Sequence, residues 1–239
     1  MEAVRRRRVG IAQLQRGIPR EEFDYPLLTS VLGGYAGPRQ KIHDLLRSRV
    51  IVRVKKGLYV FGPDYRRGPI CREALANLIF GPSCISLEYA LAHYGLIPER
   101  VETVTSVTPK REKAFETPLG RFTYRYLAPA KYPYGVGQVW IDDDHPVLMA
   151  SPAKALCDLV VLGRSPGLAS TREARDFLRE DLRIDKTHWG RIDRAELRAL
   201  ARVHRSRDVE RIAEALDGAI DGAREAAPST VAGWEGARG

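Results

Sequence analysis

Residues 49–62 read RVIVRVKKGLYVFG. Two short apolar runs, Val50–Val54 and Leu58–Phe61, flank the turn Lys55-Lys56-Gly57. Gly57 supplies the left-handed residue that a tight hairpin needs. The stretch therefore predicts a two-stranded hairpin with paired lysines at its tip and Arg49 and Arg53 beside it. Hairpin tips are wet, and solubility alone accounts for some charge there. Two lysines flanked by arginines point further, to a polyanion.

The residues just before it decide what kind of hairpin this is. PRQKIHDLLRS (38–48) predicts a helix that Pro38 starts and whose Ile42, Leu45 and Leu46 turn inward. Arg39, Gln40, Lys41, His43 and Arg47 are left for its outer surface. FDYPLLTSVL (23–32) predicts an earlier helix, capped by Asp24, with Pro26 in its first turn and Gly33-Gly34 after it. Helix, turn, helix, hairpin is the order of a winged helix-turn-helix, whose second helix enters the major groove with its N-terminal residues toward base edges. Arg39, Gln40 and Lys41 occupy that turn. Arginine forks onto guanine and glutamine pairs with adenine. Lys55 and Lys56 then act as a point-charge clamp on phosphates.

The charge distribution agrees. The 239-residue chain carries a formal +9, yet residues 1–67 hold 15 basic and 6 acidic side chains while the remainder holds 24 of each. The whole excess sits in the N-terminal module, which points to nucleic acid. Arg5-Arg6-Arg7-Arg8 predicts a flexible basic arm over 1–22, ahead of a DNA-binding domain over 23–67. No apolar run approaches the ~18 residues of a membrane span, and no signal-peptide core follows the basic start. A cytoplasmic protein without a membrane partner is expected. Three widely spaced cysteines fit neither a disulfide framework nor a metal knuckle, so reduced thiols and no metal site are expected.

A linker is expected from Gly62-Pro63 to Gly68-Pro69. Beyond it, helices are expected over 72–80, 85–95 and 151–162, the last started by Ser151-Pro152. Strands are expected over 101–108, 121–127, 138–141 and 146–149, with Phe122, Tyr124 and Tyr126 on one face. Asp142-Asp143-Asp144 reads as a solvated turn. From Ser170 the chain is helical and highly charged, and a disordered tail is expected over 228–239. The fold class expected is α+β: an N-terminal winged helix-turn-helix, then a mixed α/β domain over 68–227 with a small antiparallel sheet and C-terminal helices. No phosphate-binding loop, dinucleotide fingerprint, H-E-x-x-H or G-x-S-x-G motif occurs. Neither a catalytic residue nor a cofactor is expected.

SLEYALAHYGLIPE (86–99), VTSVTPKR (104–111), TPLGRFTYRYL (117–127) and ASPAKALCDLV (150–160), with KKGLYVFGP (55–63), resemble the AbiEi-type antitoxins of type IV toxin–antitoxin and abortive-infection systems. The resemblance covers about residues 25–162. It implies a repressor that binds inverted repeats in double-stranded DNA of its own promoter and counteracts an AbiEii-like nucleotidyltransferase toxin, without need of a stable complex. Carried over onto this chain, the DNA-binding positions are Arg39, Gln40, Lys41, Arg47, Arg53, Lys55, Lys56 and Tyr59. The antitoxin candidates are Glu88, Tyr89, Lys110, Arg111 and Lys154. A single winged helix makes a small interface, so self-association on DNA is expected. The rival readings are a ligand-responsive regulator without a toxin, and a nuclease or toxin-directed kinase of a phage-defence system.

Overall fold

The computed structural model describes residues 10–33, 37–164 and 167–225. The Arg5–Arg8 cluster and the 228–239 tail lie outside these residues. The protein is of mixed α+β class with two sheets.

The N-terminal module runs α1 (Ile11–Gly17), β1 (Glu22–Asp24), α2 (Tyr25–Val31), α3 (Pro38–Arg47), β2 (Ile51–Lys55) and β3 (Leu58–Phe61). Its three strands are antiparallel in the order β1-β3-β2. The Asp24 carboxylate caps α2 by accepting from the Leu27 N–H at 2.9 Å, and Pro38 opens α3. Both starts follow the sequence signals. Two elements do not. The flexible arm expected over 1–22 is helical from Ile11 to Gly17, because Leu14 and Ile18 bury fully against Leu28, Leu32, Ile42 and Phe61. Phe23 and Asp24, expected at the start of the first helix, instead belong with Glu22 to a strand paired to Leu58–Val60.

The module is not tethered by a loose linker. Arg67 donates to Glu21 Oε1 at 3.0 Å and to the carbonyls of Gln15 at 3.0 Å and Ile18 at 2.9 Å. Gly62 is required where the chain leaves β3: a Cβ there would meet the Arg49 carbonyl at 1.9 Å. Strand β3 is central and buried along its length. Tyr59 and Phe61 pack into the module's own core, while Leu58 and Val60 join the core of the body.

The body contains α4 (Arg72–Ile79), β4 (Cys84–Ile85), α5 (Leu87–His93), β5 (Val104–Thr108), β6 (Lys113–Thr117), β7 (Gly120–Tyr126), β8 (Val136–Trp140), β9 (Pro146–Ala150) and α6 (Pro152–Leu159). Then come α7 (Thr171–Asp176), α8 (Arg194–His204) and α9 (Arg207–Glu225). The sheet has six strands in the order β6-β7-β5-β4-β9-β8. It is mixed, because β5 runs parallel to β7 and β4 parallel to β9. The small antiparallel sheet expected from sequence lacked β4 and β6, and β4 is the strand that joins its two halves. On the face that Phe122, Tyr124 and Tyr126 were expected to share, Phe122 and Tyr124 fill the core, whereas Tyr126 stands 47% exposed. Helix α5 packs on α6, α6 on α8, and α9 on both α7 and α8. All three cysteines are reduced and buried. Among the described residues no helix is long and apolar enough to cross a membrane.

Candidate nucleic-acid interface

Helix α3 turns Ile42 and Leu45 into the module core and leaves Arg39, Gln40, His43 and Arg47 exposed. No acidic residue lies in its first turn. Lys41 is half-buried in the same turn. Gln40 Nε2 donates to Asp44 Oδ1 at 3.3 Å, one helical turn on. Among the described residues Arg39, Arg47 and Lys56 have no carboxylate within ion-pair distance. Several body arginines, among them Arg121, Arg125 and Arg183, hold a glutamate, whereas these three project their charge outward.

The hairpin turn divides its two lysines. Lys55 pairs across to Leu58 and is the last residue of β2. Gly57 takes φ +85°, the left-handed conformation that the turn demands. Lys56 is exposed, but the Lys55 ammonium donates to the Ile79 carbonyl at the end of α4. Its Nζ also sits 6.0 Å from the Phe115 ring centroid. Partial burial, then the charge of Lys113, lower its pKa. Lys55 is thus committed to the body rather than held out for a phosphate. Tyr59 is corrected as well: it is 4% exposed and its ring stacks on Phe23 at 6.3 Å, so it supports the sheet from within. Arg53 is exposed and lies 5.9 Å from the Tyr59 ring centroid.

Docking the hairpin against the body gathers side chains that the sequence keeps apart. Phe80 and Phe115 lie 5.9 Å apart. Lys110 sits over Phe80 at 5.7 Å, and Lys113 over Phe80 at 5.8 Å and Phe115 at 5.2 Å. With Lys55 this places three ammonium groups around one aromatic pair. Lys110 also donates to the Gly81 carbonyl at 2.6 Å. Arg111 and Lys113 are exposed beside it. The neighbouring Glu112 is held by Arg125 at 2.9 Å, which pulls its carboxyl below the usual range. Two antitoxin candidates, Lys110 and Arg111, therefore belong to a basic surface continuous with the hairpin turn. Lys113 was missed because the sequence reading placed no strand at Lys113–Thr117.

The remaining candidates do not converge with them. Glu88 is half-buried in the first turn of α5 and lines a cleft of about 470 Å³ with Glu99, Arg100 and Glu102. Tyr89 donates to Glu73 Oε1 at 2.6 Å, and burial followed by that carboxylate pushes its hydroxyl pKa well up. Lys154, expected as an antitoxin candidate, is fully buried. It donates to Asp158 Oδ1 at 3.0 Å, and Ser86 donates to Asp158 Oδ2 at 2.7 Å. An ammonium sealed in this way has no access to another macromolecule. A scan of the sequence against protein-family models and a search of curated proteins both returned no match.

Proposed function

We propose that this chain is a winged-helix transcriptional repressor that binds double-stranded DNA, and that its body is the antitoxin of a nucleotidyltransferase-like toxin. The observation that carries the DNA-binding half is the first turn of α3. It presents Arg39 and Gln40 to solvent from a turn that contains no acidic residue, in a module whose element order is α1-β1-α2-α3-β2-β3. In this reading α3 enters the major groove and Arg39 and Gln40 reach base edges. Arg47, Arg53 and Lys56 meet phosphates, and Lys110, Arg111 and Lys113 extend the contact onto the body. The antitoxin half rests on the resemblance of residues 86–160 to that family.

Fluorescence anisotropy on the DNA upstream of the gene tests the first half. Wild-type affinity is expected to fall steeply with salt, because neutralised phosphates release counterions. Arg39→Ala is expected to cost about 1–3 kcal/mol and to blunt the preference for the upstream repeat over a scrambled duplex. If wild-type protein binds both duplexes equally at moderate salt, the repressor reading fails. Co-expression with the adjacent downstream gene tests the second half through growth. Rescue is expected; its absence with DNA binding intact leaves a plain regulator.

A further inference from the structure

Where the module meets the body, three chemically distinct side chains converge. Glu22 comes from β1, Cys71 from the residue that caps α4, and His145 from the residue before β9. One ligand atom from each lies within 4.8 Å of the other two, and all three residues are buried. His145 Nε2 stands 2.7 Å from Glu22 Oε1, yet no hydrogen bond joins them, and both Glu22 oxygens lack a hydrogen-bond donor among the described residues. The Glu22 side chain is only 1% exposed. A carboxylate this deeply buried with neither oxygen satisfied is costly. The other ring nitrogen is accounted for: Nδ1 lies 2.6 Å from Asp142 Oδ1.

With Nδ1–H donating to Asp142, Nε2 turns a lone pair toward an anionic oxygen. A separation of 2.7 Å between two electron-rich atoms requires a positive centre. A proton would serve the pair alone; the Cys71 sulfur, which accepts from the Ala74 N–H at 3.4 Å, stands within reach as a third donor. A transition-metal ion uses all three donors. The pattern of carboxylate, then imidazole, then open nitrogen is how metal-bound histidines are commonly fixed in tautomer and orientation.

We propose that Glu22, Cys71 and His145 form a binding site for a divalent transition metal of the zinc class, oriented by Asp142. The mixed S, N and O donor set suits a borderline-soft ion. A tetrahedral ion with bonds of ~2.0–2.3 Å spans ligand–ligand edges of about 3.3–3.8 Å. The carboxylate–imidazole pair therefore opens slightly, and the widest gap closes. The Cys71 thiol gives up its proton to solvent as the metal–sulfur bond forms. Three protein ligands leave a fourth position. A cleft of about 380 Å³ lined by Arg20, Arg67, Asp142 and His145 supplies the path to it. Because Glu22 belongs to the module and the other two ligands to the body, the ion clamps one on the other.

The test uses the full chain stripped of metal by chelator and titrated with Co²⁺, then with Zn²⁺ as competitor. The expected result is thiolate-to-cobalt absorption that saturates at one equivalent and is displaced by Zn²⁺. The band is expected to vanish in Cys71→Ser and persist in Cys84→Ser and Cys157→Ser. Asp142→Asn, a change at a half-exposed side chain, is expected to weaken binding about 10–100-fold. No band in wild type, or a band that survives Cys71→Ser, overturns the proposal and leaves a protonated imidazole between two carboxylates. Should Cys71→Ser fail to fold by circular dichroism, Asp142→Asn decides: unchanged affinity overturns the site.

Discussion

Charge is handled in opposite ways by the two halves of this molecule. In the N-terminal module the excess is positive and faces outward: Arg39, Arg47 and Lys56 stand over a core built largely from apolar side chains. In the body the signs balance, and the arginines are largely occupied. Arg125 holds Glu112, Arg183 holds Glu99, and Arg194 and Arg198 share Asp217. The body even buries a complete charge pair, Lys154 with Asp158. The same residue types thus serve different ends. An exposed pair adds little stability, so the module's unpaired cations are better explained by a partner than by the fold. The buried pair is the reverse case: it is shut away from any partner and matters to folding alone.

The largest expected effect breaks that buried pair. Burial pushes the Asp158 carboxyl above its ordinary pKa, while Lys154 and the Ser86 hydroxyl pull it back. Lys154→Ala strands the carboxylate in a dry core and is expected to cost about 3–5 kcal/mol in urea unfolding. Lys154→Met together with Asp158→Leu removes both charges and is expected to recover most of that loss. If the double variant is as unstable as the single one, the packing around Lys154 matters more than its charge, and the contrast between the halves weakens.

These outcomes bear on what a single sequence can reveal. Local rules were legible: Asp24, Pro38, Ser151 and Gly57 each mark an element start or turn that the structure contains. Strands without alternation were not legible. Cys84–Ile85 has two residues, and Lys113–Thr117 is a polar edge. The first is held by strands remote in the chain, at Ser106–Val107 and Met149, which no local window records, whereas the second closes a local hairpin with β7 and lacks the apolar alternation that marks a strand. The exposed positions of α3 could be read because helix periodicity alone decides which side chains face out. The fates of Lys55 and Lys154 could not, since a carbonyl at the end of α4 takes up the first, and helices remote in the chain bury the second together with Asp158. The Glu22–Cys71–His145 cluster was invisible for the same reason: no spacing rule covers three ligands from three distant segments.

A finer test lies within the hairpin turn, where adjacent lysines fall on opposite sides of the comparison. Lys55→Ala loses a charged donor to the Ile79 carbonyl and is expected to destabilise by about 1–2 kcal/mol. Its effect on the salt dependence of DNA binding is expected to be small. Lys56→Ala is expected to leave stability within about 0.5 kcal/mol while lowering the logarithmic salt slope by about 1. Equal effects of the two variants on DNA affinity would erase the distinction drawn at this turn.

The smallest effect concerns protons. His204, the last residue of α8, is 8% exposed and its Nε2 has no hydrogen-bond partner among the described residues. Burial, then the charges of Lys154 and Lys131, pushes its pKa down from 6.5 to about 4. Between those values the unfolded chain binds a proton that the folded chain refuses. Stability is therefore full above about pH 6.5 and falls as the pH drops toward 4. From about pH 7 to about pH 5 the loss is expected to be about 1–2 kcal/mol for this one group. Other groups titrate as well, so the useful quantity is the difference between wild type and His204→Phe, read by urea unfolding at the two pH values. The variant is expected to lose less stability on acidification. Parallel profiles would show that water reaches His204 in the folded state, and that the body is less sealed against charge than its buried ion pair implies.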